Sequence, residues 1–173
     1  MGQRASETVG IAFQEMFVPD DQLLGDPSSG FVYAMQGLQG GRLGIAAVAL
    51  GIAEAALEHS IAYADERQQF GQAIRKFQGM EFKLADMATR VEASRGLLHR
   101  AAQEKRPALT SMAKLFASES AMWVTTQAVQ VFGGYGYVKE YPVERLFRDA
   151  KVTEIYEGTS EIQRTVIARE LYR

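Results

Sequence analysis

From Phe31 onward the apolar residues recur at three- and four-residue steps, and this period constrains the fold more than any other feature of the chain. Phe31, Met35, Leu38, Ile45, Ala49, Ile52 and Ala56 form a first stripe, which predicts a helix running to about Tyr63. Met80, Leu84, Met87, Val91, Leu98 and Ala101 form a second. A third carries Leu109, Met112, Phe116, Ser120, Trp123, Val124 and Val131. Pro107 suits its first turn, and the paired glycines of "GGYGY" at 133–137 permit the left-handed backbone that ends a helix. "PVERLFRDAK" predicts a short fourth helix. A last one starts near Ser160, where Ser160 and Gln163 have capping-box spacing, with Ile162, Val166, Ile167 and Leu171 as its buried side. The stripes predict an all-α, up-and-down four-helix-type bundle over residues 30–173.

Residues 1–29 have a different character. "VGIAFQEMFVP" carries short β-type runs, and "DDQLLGDPSSG" is rich in turn formers. One or two strands are expected here, as the tail of a β-domain, since two strands alone have little to pack against. "DERQQFGQAIRKFQ" interrupts the helical period as a polar connection, and Asp86 and Arg90 have the spacing of a surface pair on the second helix.

The bulk numbers remove several functions. A formal charge of −2 gives no basic field for nucleic acid or acidic lipid. With no cysteine there is no disulfide, thiolate metal site or thiol nucleophile, which fits a reducing compartment. Two histidines, His59 and His99, argue against a His-rich metal site, so none is expected. No segment reads as a signal peptide or a membrane span.

Two charged residues stand out. Arg42 lies on the first apolar stripe, where a buried guanidinium needs partners. An interhelix ion pair and a ligand-binding role remain open. Glu157, in "IYEGTSEIQR", is flanked by apolar residues and Gly158 just before a helix start. It reads either as a surface-loop residue or as a base beside a ligand. Ile155 and Tyr156 can desolvate it and raise its pKa, whereas the helix N-terminus behind it lowers it. Gly158 permits close approach of a ligand, and the free N–H groups there suit a phosphate or carbonyl oxygen.

Four segments together resemble the flavin-dependent acyl-CoA dehydrogenases. "IYEGTSEIQR" is similar to the signature around that family's catalytic glutamate, and "QVFGGYGYVKEYPVERLFRDAK" to the run before it. "RQQFGQ" resembles the loop that reaches a neighbouring subunit's flavin, and "MGQRASETVGIAFQEMFVP…LLG" the last strands of the middle β-domain. The resemblance implies a remnant of that β-domain at 1–29 and the C-terminal bundle at 30–173, with no counterpart of the family's N-terminal domain.

It further implies FAD as cofactor and an acyl-CoA thioester as substrate. Glu157 would take the α-proton while the β-hydrogen leaves as hydride to the flavin. The Glu157 backbone N–H would hold the thioester carbonyl, with Gly158 beside the substrate. Thr159, Ser160 and Glu161 would border the flavin. Arg67, Phe70 and Gln78 would embrace it across a subunit contact, together with Gln130, Val131, Phe132, Gly133 and Gly134. Arg42 and Gln39 would lie near the substrate, Gln39 where the family often has an acidic residue. Some members carry the base on the first long helix, at a position that is Gly41 here, so Glu157 is the matching candidate.

The implied partners are an electron-transferring flavoprotein as acceptor and further copies of the chain, in a dimer or tetramer. The implied location is the bacterial cytoplasm or the mitochondrial matrix. With so little of the β-domain present, the chain alone is expected to bind flavin weakly and to turn over nothing. A catalytically silent assembly module of this fold and an acyl-CoA oxidase-like relative remain as alternatives.

Overall fold

A computed structural model describes residues 1–172, and it is helical from Gly30 onward. Helix α1 spans Gly30–Glu66, α2 Gln78–Glu104, α3 Pro107–Phe132, α4 Pro142–Thr153 and α5 Ser160–Leu171. α3 is the central element, with α1, α2, α4 and α5 all packed on it. Fifteen of its residues are buried, from Ala108 to Phe132, so it has no polar face over most of its length.

The α1–α3 contact is made of small side chains. Ala49 and Ala56 of α1 and Ala121 and Ala128 of α3 are wholly buried, and such residues let two helix backbones approach closely. Met87, Val91, Leu98 and Ala101 of α2 close the other side of the core, as their stripe predicts. Pro107 and Pro142 sit in the first turns of α3 and α4, where no backbone donor is lost. Gly133 ends α3 at φ +60°. Tyr63 of α1 stacks on Phe132 at 4.0 Å between centroids, which fixes this end of the bundle.

Several expectations need correction. No strand forms in residues 1–29 among the described residues. The segment is extended and irregular with two short 3-10 turns, and Val9, Ile11, Phe13 and Phe17 are exposed. A strand needs a partner for its backbone groups, and this chain offers none there. The extreme N-terminus is tied down, where Gln3 N–H donates to Asp149 Oδ1 at 2.5 Å and Arg148 Nη1 to Met1 O at 2.8 Å, and Asp26 N–H donates to the Tyr33 hydroxyl of α1 at 3.2 Å.

The single sheet lies in the polar connection instead. Gln68–Gln69 (β1) pairs with Gln72–Ala73 (β2) in an antiparallel hairpin. Its turn residues Phe70 and Gly71 both have positive φ, the backbone that a two-residue hairpin turn requires. Phe31 and Met35 are exposed at the start of α1, and Ile162 and Leu171 are exposed on α5, so these parts of the predicted stripes are not buried. Arg90 forms no ion pair with Asp86 among the described residues. Its guanidinium lies 4.4 Å from the centroid of the Trp123 ring. Finally, α1 is long and apolar enough, by length and composition, to cross a membrane, although no such segment was expected. Its residues from Ala46 to Ala64 pack into the bundle as a core helix does.

Met87 is completely buried against this core, and truncation there removes contacts that the surrounding helices cannot replace. Met87→Ala should lower unfolding stability by about 2–5 kcal/mol, measured by urea denaturation.

Candidate functional site

Glu157 lies in the turn between α4 and α5, in a left-handed conformation with φ +54°, followed by Gly158 at φ +89°. A non-glycine residue there is held against its preference, at a cost of about 1–3 kcal/mol. The surroundings supply the restraint. Lys114 of α3 donates from Nζ to Gly158 O at 2.8 Å. Gln163 of α5 donates from Nε2 to the same oxygen at 2.9 Å and to Glu157 O at 3.1 Å. Both side chains are fully buried. Ser160 N–H donates to Glu154 O at 3.0 Å and closes the turn.

Thr159 is the N-cap of α5, its hydroxyl facing the Ile162 N–H at 3.5 Å. The predicted capping pair of Ser160 and Gln163 is therefore displaced by one residue. Ser160 is the first helical residue, and Gln163 turns inward to the loop carbonyls.

The Glu157 carboxylate rests on the backbone of α1 at Gly41. A Cβ at that position would lie 2.6 Å from Glu157 Cδ and 2.9 Å from Oε1, so a side chain there would displace the carboxylate from this seat. Oε2 is buried with no hydrogen-bond partner among the described residues. The backbone N–H groups of Glu157, Gly158 and Thr159 likewise find no acceptor among the described residues. The site thus offers an unpaired carboxylate oxygen beside three unpaired donors. Ile155 is exposed and does not desolvate Glu157 as expected, while Tyr156 is half-buried. Burial pushes the Tyr156 phenol above its ordinary value, and the Glu157 charge adds to this.

Arg42 approaches Ser111 of α3, with Nη1 to Oγ at 3.5 Å, and its buried Nε has no partner. No ion pair to Arg42 exists among the described residues, so of its two readings that one is not realised. The Glu161 carboxyl is held below its usual value by its own backbone N–H and the Thr159 hydroxyl. Thr159, Ser160 and Glu161 line a cleft of about 230 Å3. Ser160 Oγ is buried and unpartnered. Gln39 is exposed on α1, two residues from Gly41.

The second group of predicted residues lies at the other end of α1. Arg67, Val131, Phe132, Gly133 and Gly134 line one cleft of about 470 Å3, with Tyr135, whose ring centroid is 5.3 Å from the Arg67 guanidinium. Phe70 is at the exposed hairpin tip, 6.1 Å from the Phe77 ring, and Gln78 opens α2 on the surface. Gln130 faces a different cleft, beside Tyr137 and Phe147. Gly41 touches Glu157, whereas Tyr63 lines the Arg67 cleft. At 1.5 Å per residue these two positions are about 33 Å apart along α1.

Lys114 was not legible as a site residue. Its neighbours one turn away, Ser111 and Ser118, are small and buried, and a lysine within such a face is the available signal. Desolvation lowers its pKa from 10.5, opposed by the charges of Glu154, Glu157 and Glu161. The unfolded chain therefore binds more protons than the folded one in the window just below 10.5, and stability rises with pH there. Urea titrations of wild type and Lys114→Met from neutral pH toward 10.5 should show wild type gaining on the variant as pH rises.

The chain is similar to known proteins along its whole length. The family model described as "Acyl-CoA dehydrogenase, C-terminal domain" matches residues 28–172. The mitochondrial short-chain specific acyl-CoA dehydrogenase of Bos taurus is 52% identical over 100% of this chain and 43% of its own length. The structure of butyryl-CoA dehydrogenase from Megasphaera elsdenii superposes with a TM-score of 0.90 at 51% identity, over 93% of this chain and 43% of that one. A chain in a structure of the electron-transferring flavoprotein of Acidaminococcus fermentans gives the same TM-score at 52% identity, over 93% of this chain and 44% of that one. The chain spans less than half the length of the relatives it matches. Both its sequence and its bundle place it in one family: the chain belongs to the acyl-CoA dehydrogenases.

Proposed function

We propose that this chain is the C-terminal domain of an FAD-dependent enzyme that dehydrogenates the α,β-bond of an acyl-CoA thioester, with Glu157 as the base. The observation that carries the reading is the buried, unpartnered Oε2 of Glu157, seated over a glycine and beside unpaired backbone donors. A carboxylate that makes no ion pair or hydrogen bond of its own is available to accept a proton. Oε2 is the accepting atom. The Glu157 N–H donates to the thioester carbonyl and so acidifies the α-carbon. Gly158 would lie beside the substrate, its missing side chain making room for Gln163 rather than for the ligand, while Gln39 and Arg42 lie along α1 toward the substrate's remainder.

The residues at the Arg67 end fit a flavin dinucleotide. Gly133 and Gly134 have open space where a Cβ would stand, so their backbone can be approached closely, and Arg67 has no carboxylate partner among the described residues. Its planar fork suits a pyrophosphate. Phe70, Gln78, Gln130, Val131 and Phe132 would complete the grip, with Thr159, Ser160 and Glu161 near the redox-active ring. Bound FAD supplies the acceptor for the hydride. The separation of the two ends of α1 supports a site completed by a second copy of the chain, and the exposed Ile162 and Leu171 of α5 supply apolar surface for such an assembly.

Residues 1–29, exposed and apolar at alternate positions from Val9 to Phe13, fit the edge of a β-domain packed beside this bundle. An electron-transferring flavoprotein is the proposed electron acceptor, supported by the occurrence of a chain of this fold in a structure of one. Relatives from bacteria and mitochondria support a cytoplasmic or matrix location.

In the flavin-loaded enzyme carrying this domain, Glu157→Gln should keep flavin and acyl-CoA binding and lose nearly all exchange of the substrate α-proton with solvent, followed by mass spectrometry. Exchange at the wild-type rate would refute the assignment. Arg67→Ala should weaken flavin retention, measured by flavin fluorescence on dilution, while helix content by circular dichroism stays unchanged. Intact flavin affinity with a collapsed fold would reverse the role given to Arg67.

A further inference from the structure

We propose that Lys114 and Gln163 are positioning residues for the Glu157 carboxylate: two buried donors, on α3 and α5, that pin the consecutive carbonyls of Glu157 and Gly158 and hold the left-handed turn between them. The proposal rests on the reading of Glu157 as base, and it deepens that reading.

Two consecutive residues with positive φ make a turn that the chain does not adopt unaided, Glu157 least of all. The Glu157 carboxylate packs on Gly41 but makes no hydrogen bond that would fix the turn, Oε2 being unpartnered. The restraint therefore acts on the peptide groups. Gln163 Nε2 reaches both carbonyls, at 3.1 and 2.9 Å, and Lys114 Nζ reaches the second at 2.8 Å. Fixing two successive carbonyls fixes two peptide planes. Because C=O and N–H point opposite ways in a trans peptide, the N–H groups of Gly158 and Thr159 are turned away from the two donors.

The two anchors differ in kind. Gln163 is one turn into the helix that follows the loop, so it ties the loop to its own sequence neighbour. Lys114 is 44 residues away on the central helix, so it ties the loop to the core. A buried ammonium is costly unless it is hydrogen-bonded and compensated by charge. Lys114 has the Gly158 carbonyl and the charges of Glu154, Glu157 and Glu161 around it, against the like charge of Arg42. The Gly158 oxygen takes both donors, so loss of one leaves it paired and loss of both leaves a part-buried carbonyl without either.

The test uses Lys114→Met, Gln163→Met and the double variant, which keep side-chain length and remove the donors. In the 173-residue chain, amide exchange of Ser160, whose N–H closes the turn onto Glu154 O, should quicken at least about tenfold in each single variant. Amides within α2 and α3 should be unchanged. In the flavin-loaded enzyme each single variant should lower kcat and α-proton exchange about tenfold with KM within twofold and flavin content intact. A misplacement of about 1 Å is enough to cost about a hundredfold. If the double variant folds, its loss should exceed the product of the two singles. If it does not, the singles decide.

Unchanged Ser160 exchange and unchanged kcat would overturn the proposal. So would a rise in KM at constant kcat, or a fall in kcat that only follows lost flavin. Glu157→Gln is run alongside. Should it keep full α-proton exchange, the base assignment falls, while the Ser160 amide still decides whether the two donors pin the turn.

Discussion

The close packing of α1 on α3 is the constraint on which the rest depends. Ala49, Ala53 and Ala56 of α1 and Ala117, Ala121 and Ala128 of α3 belong to one buried core, and none of these side chains holds the helices far apart. At the N-terminal end of this seam the same closeness brings Gly41 and Arg42 next to Ser111 and Lys114. The turn between α4 and α5 lies over that junction. Its carboxylate rests on α1 and its carbonyl is held from α3. A larger side chain anywhere along the seam would shift the site as well as the core, because well-packed interiors transmit strain.

Much of this architecture was legible in the sequence, and the failures have physical causes. The long helices announce themselves because a 3.6-residue period sustained over five or more turns has few other solutions. Their ends were legible where proline or paired glycine removes an alternative, as at Pro107, Pro142 and Gly133. The first 29 residues were misread because strand propensity describes a fit to a partner, and that partner is not among the described residues. The exposed apolar side of α5 has the same origin: a stripe says that a face wants covering, not that this chain covers it.

The site was legible by a different route. Glu157 was marked by its motif, but its support was not. Gln163 read as half of a cap, and its real work is on two carbonyls upstream. Lys114 was lost inside a run read for its apolar residues, although it is fully buried, as are Ser111 and Ser118 one turn away. Arg90 was assigned to Asp86 on spacing alone, yet it lies on the Trp123 ring, which spacing on one helix cannot foresee. Periodicity finds what faces the core; it does not find which buried polar group meets which.

The two ends of α1 are built in opposite ways. At the Glu157 end every restraint is internal. Donors from two helices are fully buried, a glycine makes room for the carboxylate, and among the described residues the unpaired groups there are the Glu157 carboxylate oxygen, three backbone N–H groups, Arg42 Nε, Ser160 Oγ and Gln163 Oε1. At the Arg67 end Phe70, 92% exposed, Gln78, Gln130, Gly133 and Gly134 lie on the surface, while Val131 and Phe132 are buried and join the aromatic cluster around Tyr63 behind them. Large exposed rings rimmed by polar groups mark a surface meant to be covered. Under the proposed function, proton abstraction tolerates little positional error, and the turn that would present the base is held within the chain. Holding a large cofactor tolerates more, and there the chain would present half a surface. On that reading the base would be assembled by folding and the cofactor grip left to assembly.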